Sequence, residues 1–400
     1  MGPWRCNLSG HTRIPVMIRL RALDGLRGFA ILWVLSYHLV ALPARAASLR
    51  GFPALMVFAQ HGWIGVNLFF VLSGYLITQV HADQPRDRYY FGNFWIRRFF
   101  RILPAYALLL LSFPLARALW PVSAPGGDNV FNLMIPFWSY LAFSQNFYMA
   151  SISYLGNDWM RVLWSLAVEV QFYLFICLAL FFIPRRQTMR WFAVLAAASV
   201  VFRFVTYLTQ ANADTALVVL LPSRLDSFLL GGLVALLPRV GVGVLRPSVA
   251  VVLVVLAGLF LRYYSSGRFG AMMRFAVPFY YTVISVGSIA LLDLCVGRFR
   301  PLAWLMESWP LVEAGRLSYF IYLFHMPVAL TVFHFVQGTP PVLGTPTAAL
   351  LMVGAFAVVC LAARLSYTFF EAPLIRYSHS LVRRPAPVVT KPACLPDVTQ

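Results

Sequence analysis

The chain of 400 residues is 60% hydrophobic and only 11% charged, with a mean hydropathy of +0.76. Soluble domains carry about 25% charged residues, so this composition excludes a soluble globular domain and places the chain in a bilayer. The formal net charge of +19 raises nucleic acid as a partner, but the basic residues lie scattered between apolar segments and form no single stripe, which excludes that class.

Residues 1–18 hold Arg13 but neither a long apolar core nor a small-residue cleavage site, so they are expected to be a cytoplasmic N-terminal segment and not a cleaved signal peptide. Apolar runs of about twenty residues, each long enough to span a bilayer, then recur along the chain. They predict spans at 27–44, 60–80, 101–119, 162–183, 190–209, 216–237, 247–263, 272–293, 312–336 and 346–366. The fold class expected is therefore an all-α polytopic membrane protein with about ten transmembrane helices. The stretch 130–148, "VFNLMIPFWSYLAFSQNFY", is aromatic and apolar but interrupted by Pro136, Ser139, Gln145 and Asn146. It is expected to be re-entrant or interfacial, since irregular backbone at that depth survives only inside protein or beside a water-filled cavity. Residues 377–400 are Pro-rich and expected to be a disordered cytoplasmic tail, leaving 19–376 as the membrane domain.

Orientation follows from the arginines, which concentrate on the cytoplasmic side of a bilayer. With both termini inside, one side collects the residues up to Arg27, the Arg86–Arg101 cluster, Arg185, Arg186, Arg190, Arg239, Arg246, Arg298, Arg300, Arg316 and the C-terminal group. The other side keeps only Arg45, Arg50, Arg117, Arg161, Arg262, Arg268 and Arg274. Counting 130–148 as a full span would put "PRRQTMR" on the wrong side. Cys6, Cys177, Cys295, Cys360 and Cys394 have neither pairing nor metal-ligand spacing, so no disulfide framework and no metal site are expected. There is also no P-loop, zinc signature or dinucleotide fingerprint.

The informative residues are the ionisable ones inside apolar runs, because charge in a bilayer is costly and usually functional. In "RALDGLRGFAILWVLSYHL", Arg27 and His38 stand eleven residues apart. That separation is about three helical turns, which puts both on one face about 16 Å apart along the axis. Glu169 in "LWSLAVEVQFY" lies seven residues from the outer end of its span and His38 six from the outer end of its own. Equal depth predicts a general-base pair in which the carboxylate orients the imidazole. His325 in "LSYFIYLFHMP" lies somewhat deeper, and a plain helix-to-helix hydrogen bond is an equal alternative for it. Arg224 and Asp226 in "RLDSFLLGGL" are two residues apart, do not face each other, and are expected to pair with other helices in a structural role. In "FWIRRFFRILPAY", Arg98 and Arg101 project from one helix face and can grip phosphate oxygens, although arginines at a helix end also serve topology alone. Ser73 and Gly74 in "FFVLSGYLIT" read as small residues at a helix crossing, with no nucleophile elbow around the serine.

Taken in order, "LDGLRGFAILWVLSYH", "GVNLFFVLSGYLIT", "RRFFRILPAY", "WSLAVEVQFYLF", "RLDSFLLGGL", "LSYFIYLFHMP" and "FFEAPL" make the chain resemble the type 3 acyltransferase family of integral-membrane O-acyltransferases, over about residues 19–376. The resemblance implies transfer of an acyl group, usually acetyl, from acyl-CoA reached from the cytoplasm to a hydroxyl of a carbohydrate-containing acceptor. Such acceptors include surface polysaccharides, glycolipids and oligosaccharides, with a sugar-bearing metabolite such as a macrolide as the alternative. It implies essential roles for Arg27, His38, the pair Arg98 and Arg101, and Glu169. No permanently bound cofactor is implied, since acyl-CoA is a co-substrate. The expected location is the bacterial cytoplasmic (inner) membrane. Some members carry an added extracytoplasmic esterase-like domain, which is not expected here. The reading that follows places the CoA phosphates on Arg98 and Arg101 with Arg27 nearby, and the thioester near His38 as base, with an acyl-histidine route left open. A proton-coupled transporter or flippase that uses His38, Glu169 and Asp226 as a relay is the rival from another class, though no internal repeat supports it. Homo-oligomer formation stays open.

Overall fold

The computed structural model describes residues 21–44, 53–120, 127–237, 245–265, 273–297 and 299–383. Among them the fold is helical, with one isolated bridge between Ala44 and Leu343. The helices are α1 (Arg21–Ser36), continued by a π turn (Tyr37–Ala41), α2 (Pro53–Gln60), α3 (Ile64–His81), α4 (Tyr90–Leu119), α5 (Gly127–Phe131), α6 (Phe137–Leu141) and α7 (Gln145–Ser151). A 3₁₀ turn (Arg161–Leu163) leads into α8 (Trp164–Phe182), followed by α9 (Arg185–Thr209), α10 (Ala213–Val219), α11 (Leu221–Leu236), α12 (Pro247–Ser265) and α13 (Met273–Val296). Then come α14 (Arg300–Met306), α15 (Trp309–Gln337), α16 (Pro346–Ser366), a second π turn (Tyr367–Glu371) and α17 (Ala372–Leu381).

Nine of the described helical stretches are long and apolar enough to cross a membrane. Together with α1 and its π turn they coincide with the ten expected spans, and the chain is an all-α polytopic membrane protein. The 130–148 segment is broken into three short helices, as its interruptions demand. Its polar residues are what hold it inside the bundle. Gln145 and Asn146 are fully buried, Gln145 Nε2 donates to the Leu163 carbonyl at 2.9 Å, and Asn146 Nδ2 donates to the Val219 carbonyl at 3.0 Å. Gln171 Nε2 returns a bond to the Phe143 carbonyl at 2.8 Å. Side-chain amides thus satisfy backbone groups that neither water nor a helix could satisfy there.

One difference from expectation concerns the C-terminal end. α17 continues to Leu381, and the Asn93 side chain clasps the Arg383 backbone, donating to its carbonyl at 2.8 Å and accepting from its N–H at 3.0 Å. Structure therefore extends past 377, where a disordered tail was expected to begin, because polar contacts to α4 hold a helix that apolar patterning alone does not reveal. The rest of that tail and the segment 1–18, with Cys6 and Cys394, lie outside the described residues.

α1 is the central helix and packs against α15, α3, α14 and α13. Its contact with α15 depends on glycine: a Cβ at Gly28 would stand 1.8 Å from the Leu311 carbonyl oxygen, and one at Gly315 would stand 1.8 Å from that of Asp24. Small residues at such a crossing let two backbones approach where lipid supplies no hydrophobic drive for association. Gly74 meets the Phe228 carbonyl in the same way where α3 crosses α11, as expected for that motif. Gly28→Val forces the α1–α15 pair apart, and overpacking of this kind costs about 1–3 kcal/mol or more. The expected result is a lower melting temperature and an aggregated size-exclusion profile in detergent, and an unchanged Tm would contradict the crossing.

Candidate active site

Two polar clusters occupy the interior along α1. At the Arg27 end, Arg27 from α1, Arg98 and Arg101 from α4, and Glu169 and Tyr173 from α8 act on one another electrostatically. Glu169 Oε1 accepts hydrogen bonds from Ser73 Oγ at 2.7 Å and from Tyr173 Oη at 2.5 Å. The Arg98 guanidinium lies over the rings of Tyr173, at 5.2 Å, and Phe94, at 5.6 Å. Helices surround these side chains, yet Arg27, Arg98, Arg101 and Glu169 all keep part of their surface accessible. Among the described residues, none of the three arginines forms a hydrogen bond or an ion pair within 4 Å. Arg27, Arg98 and Arg101, with Arg97 acting on Arg98, face Glu169, while Asp24 acts on Arg27 and Glu371 on Arg101. The first three guanidiniums, with no ion pair among the described residues and in a place where charge is expensive, suit an anion with several oxygens.

The other cluster is at the His38 end. The His38 and His325 ring centroids are 4.9 Å apart, and Tyr37 meets His38 edge-on at 5.2 Å. His38 Nδ1 lies 3.1 Å from the Val34 carbonyl, and His325 Nδ1 lies 2.8 Å from that of Tyr322. Arg161, ion-paired to Asp158 at 2.8 Å, lies within electrostatic reach of His38. Burial pushes the Asp158 carboxyl above its ordinary range, against the pull of Arg161. Tyrosines on α15 join the two clusters. Tyr319, Tyr322 and His325 are successive neighbours at three-residue steps, spanning about 9 Å of helix. Tyr319 donates to the Ile102 carbonyl of α4 at 2.8 Å, while the Tyr322 hydroxyl bonds Ser165 at 2.6 Å and the Val162 carbonyl at 3.0 Å. Both tyrosines feel the charge of Glu169.

The structure thus gathers Arg27, Arg98, Arg101 and Glu169 into one cluster, and pairs His38 with His325. The expected pairing of His38 with Glu169 does not occur. Equal depth was measured from helix ends, but Asn157, Trp159 and Met160, which precede α8, are 1%, 5% and 0% exposed, so α8 starts inside the bundle. Its first residues, near Arg161, stand at the level of His38, and Glu169 falls about 12 Å further along. The shared-face geometry is also modified, since a π turn carries His38. Single π turns of this kind are frequent at functional sites.

Arg224 and Asp226 belong to neither cluster. Asp226 takes a bidentate grip from Arg203 on α9, at 3.0 and 2.9 Å, and Thr282 adds a bond at 2.6 Å. Arg203 also donates to the carbonyls of Pro278 and Ser223, at 2.6 and 2.5 Å. Arg224 donates to Asn67 at 2.9 Å and stacks on Tyr281 at 3.9 Å. Both residues thus pair with side chains on other helices. Asp226→Ala leaves the buried Arg203 guanidinium without its carboxylate, and breaking a buried pair costs about 3–5 kcal/mol. We expect a large fall in Tm for Asp226→Ala and a smaller one for Asp226→Asn, which keeps an acceptor.

Sequence reasoning overlooked Arg203, Ser73, Tyr173, Tyr319 and Tyr322 as partners, together with Glu371. That glutamate sits on the second π turn, 7% exposed, bonded to Ser366 at 2.9 Å and within electrostatic reach of Arg101. The signals existed: a lone arginine in an apolar run, and two tyrosines at three-residue steps before His325.

A family model for an acyltransferase domain matches residues 20–364, nearly the whole helical bundle. The chain belongs to the type 3 acyltransferase family. Relatives of this chain include the O-acetyltransferase OatA of Staphylococcus aureus strain NCTC 8325, 26% identical over 374 residues, with 89% of this chain and 57% of OatA covered. OatA of strain COL matches with the same figures. A further protein of strain COL is 27% identical over 394 residues, with 91% of this chain and 59% of that protein covered. The chain therefore spans just under three fifths of the length of these curated relatives. No solved structure matches it.

Proposed function

We propose that the protein is a membrane O-acyltransferase that moves an acyl group, most simply acetyl, from acyl-CoA to a hydroxyl of a carbohydrate-containing acceptor. The observation that carries this reading is the polar path of unpaired arginines, tyrosines and paired histidines between α1, α4, α8 and α15. The relatives named as O-acetyltransferases support the acetyl group and the oxygen acceptor. Arg98, Arg101 and Arg27 would hold the phosphates of the donor, and the thin thioester arm would run toward His38, about 16 Å along α1. Glu169, held by Ser73 and Tyr173, would balance the cations while the site is empty. As the acceptor oxygen attacks the thioester carbonyl, its proton passes to His38. The C–O bond forms, the C–S bond breaks, and the imidazolium returns the proton to the CoA sulfur. The arginine-rich end would face the cytoplasm of a bacterial inner membrane, with both termini on that side.

The test is incubation of the purified protein in lipid nanodiscs with radiolabelled acetyl-CoA and a total glycan and glycolipid extract. Label should enter a glycan as an alkali-labile ester. No transfer from acetyl-CoA or longer acyl-CoAs would remove the reading, and ping-pong initial rates would replace direct transfer with an acyl-enzyme.

A further inference from the structure

His325 carries a buried acceptor with nothing to accept. It is 1% exposed, and its Nε2 has no hydrogen-bond partner. Its Nδ1 lies 2.8 Å from the Tyr322 carbonyl and 3.2 Å from that of Ile321. Carbonyl oxygens only accept, so these bonds assign the hydrogen to Nδ1 and leave Nε2 with a lone pair. The same argument at His38, whose Nδ1 lies 3.1 Å from the Val34 carbonyl, leaves a second Nε2 lone pair on a ring centred 4.9 Å away. A buried polar atom without a partner is rare and calls for a reason.

Among the described residues, no other neighbour bonds to that atom. The Tyr322 hydroxyl, whose ring is 5.9 Å from that of His325, is committed to Ser165 and the Val162 carbonyl. Arg161 reaches His38 electrostatically but is ion-paired to Asp158. Tyr37 lies beside His38 on the π turn, and α2, which also packs against that turn, has no charged residue. The one donor the neighbourhood can produce is His38 itself, once a proton has arrived on its Nε2.

We propose that His325 is a positioning residue that shares one proton with His38 during acyl transfer. This rests on His38 being the base. When the acceptor hydroxyl loses its proton to His38 and its oxygen bonds the acyl carbon, the imidazolium donates to His325 Nε2. The proton is held between the rings until the departing CoA sulfur takes it. The second histidine takes the place expected of Glu169, as the partner that accepts from His38 once it is protonated.

Two substitutions separate this role from packing. Asparagine at 325 keeps a donor for the Tyr322 carbonyl but removes the acceptor at the Nε2 position, whereas glutamine reaches that position with an amide oxygen. In the nanodisc assay with radiolabelled acetyl-CoA and the glycan extract, His325→Asn should lower kcat by about tenfold or more, the scale of a lost hydrogen bond to a charged group. KM for acetyl-CoA should not change. The acid limb of its kcat–pH profile should move to lower pH, because protonated His38 has lost its acceptor. His325→Gln should recover most of kcat and return the limb toward the wild type. Wild-type kcat in His325→Asn, a fall in kcat with an unmoved limb, or His325→Gln performing no better than His325→Asn would each overturn the proposal. Failure of the acyl-transfer reading shows separately, as absence of label transfer by the wild-type protein.

Discussion

His38→Ala loses acyl transfer by about 10²–10⁴-fold, the range a general base contributes, while the protein still folds. The loss should fall on kcat, because His38 lies at the far end of the polar path from the arginines and takes no part in holding the donor phosphates. The expectation that folding survives has a structural basis. His38 is partly exposed, and its one hydrogen bond is to Val34, four residues back on its own helix. Its removal strands no distant partner, in contrast to Asp226. His38→Gln, which preserves a hydrogen-bonding side chain but cannot carry a proton, should be nearly as inactive. The measurement is label transfer from acetyl-CoA, normalised to the monodisperse fraction on size exclusion. A folded His38→Ala protein with a wild-type rate would end the assignment of His38 as base, and the His325 inference with it.

What the chain reveals before folding divides along a physical line. Hydropathy reports which segments sit in lipid, because the cost of burying polar groups acts on each segment independently; hence the ten spans were legible. The broken segment around Gln145 and Asn146 was legible for the same reason. Pairings between helices are another matter. They depend on which helices adjoin, and the Gly28–Gly315 crossing that brings α15 against α1, and so His325 against His38, involves residues 287 positions apart. Counting inward from helix ends failed for Glu169 because it assumed that α8 starts at a surface. Arg224 and Asp226 illustrate the boundary well: two-residue spacing showed that they do not face each other, but nothing in the spacing pointed to Arg203 or Asn67. The π turns were illegible too, since a turn widened by one residue carries no apolar signature.

The cation cluster yields the other large effect. The double variant Arg98→Ala/Arg101→Ala should lose about 10²–10⁴-fold in kcat/KM for acyl-CoA, since each charge-assisted bond contributes about 1.5–3 kcal/mol. Most of the loss should appear in KM, the pattern expected when binding shared by ground and transition states is removed. Arg98→Lys is not a neutral control, because an ammonium neither grips two phosphate oxygens nor stacks on Tyr173 as the guanidinium does. The donor itself can identify what the arginines hold. Acetyl-dephospho-CoA lacks one phosphate, and wild-type protein that uses that phosphate should handle it poorly. If Arg98 and Arg101 bind that group, the double variant should no longer distinguish the two donors, because removing either side of one contact leaves nothing for the second removal to take away. Equal additional losses in wild type and variant would assign the phosphate to other residues. Arg27 is then the first alternative, being the third guanidinium of the cluster and free of any ion pair among the described residues.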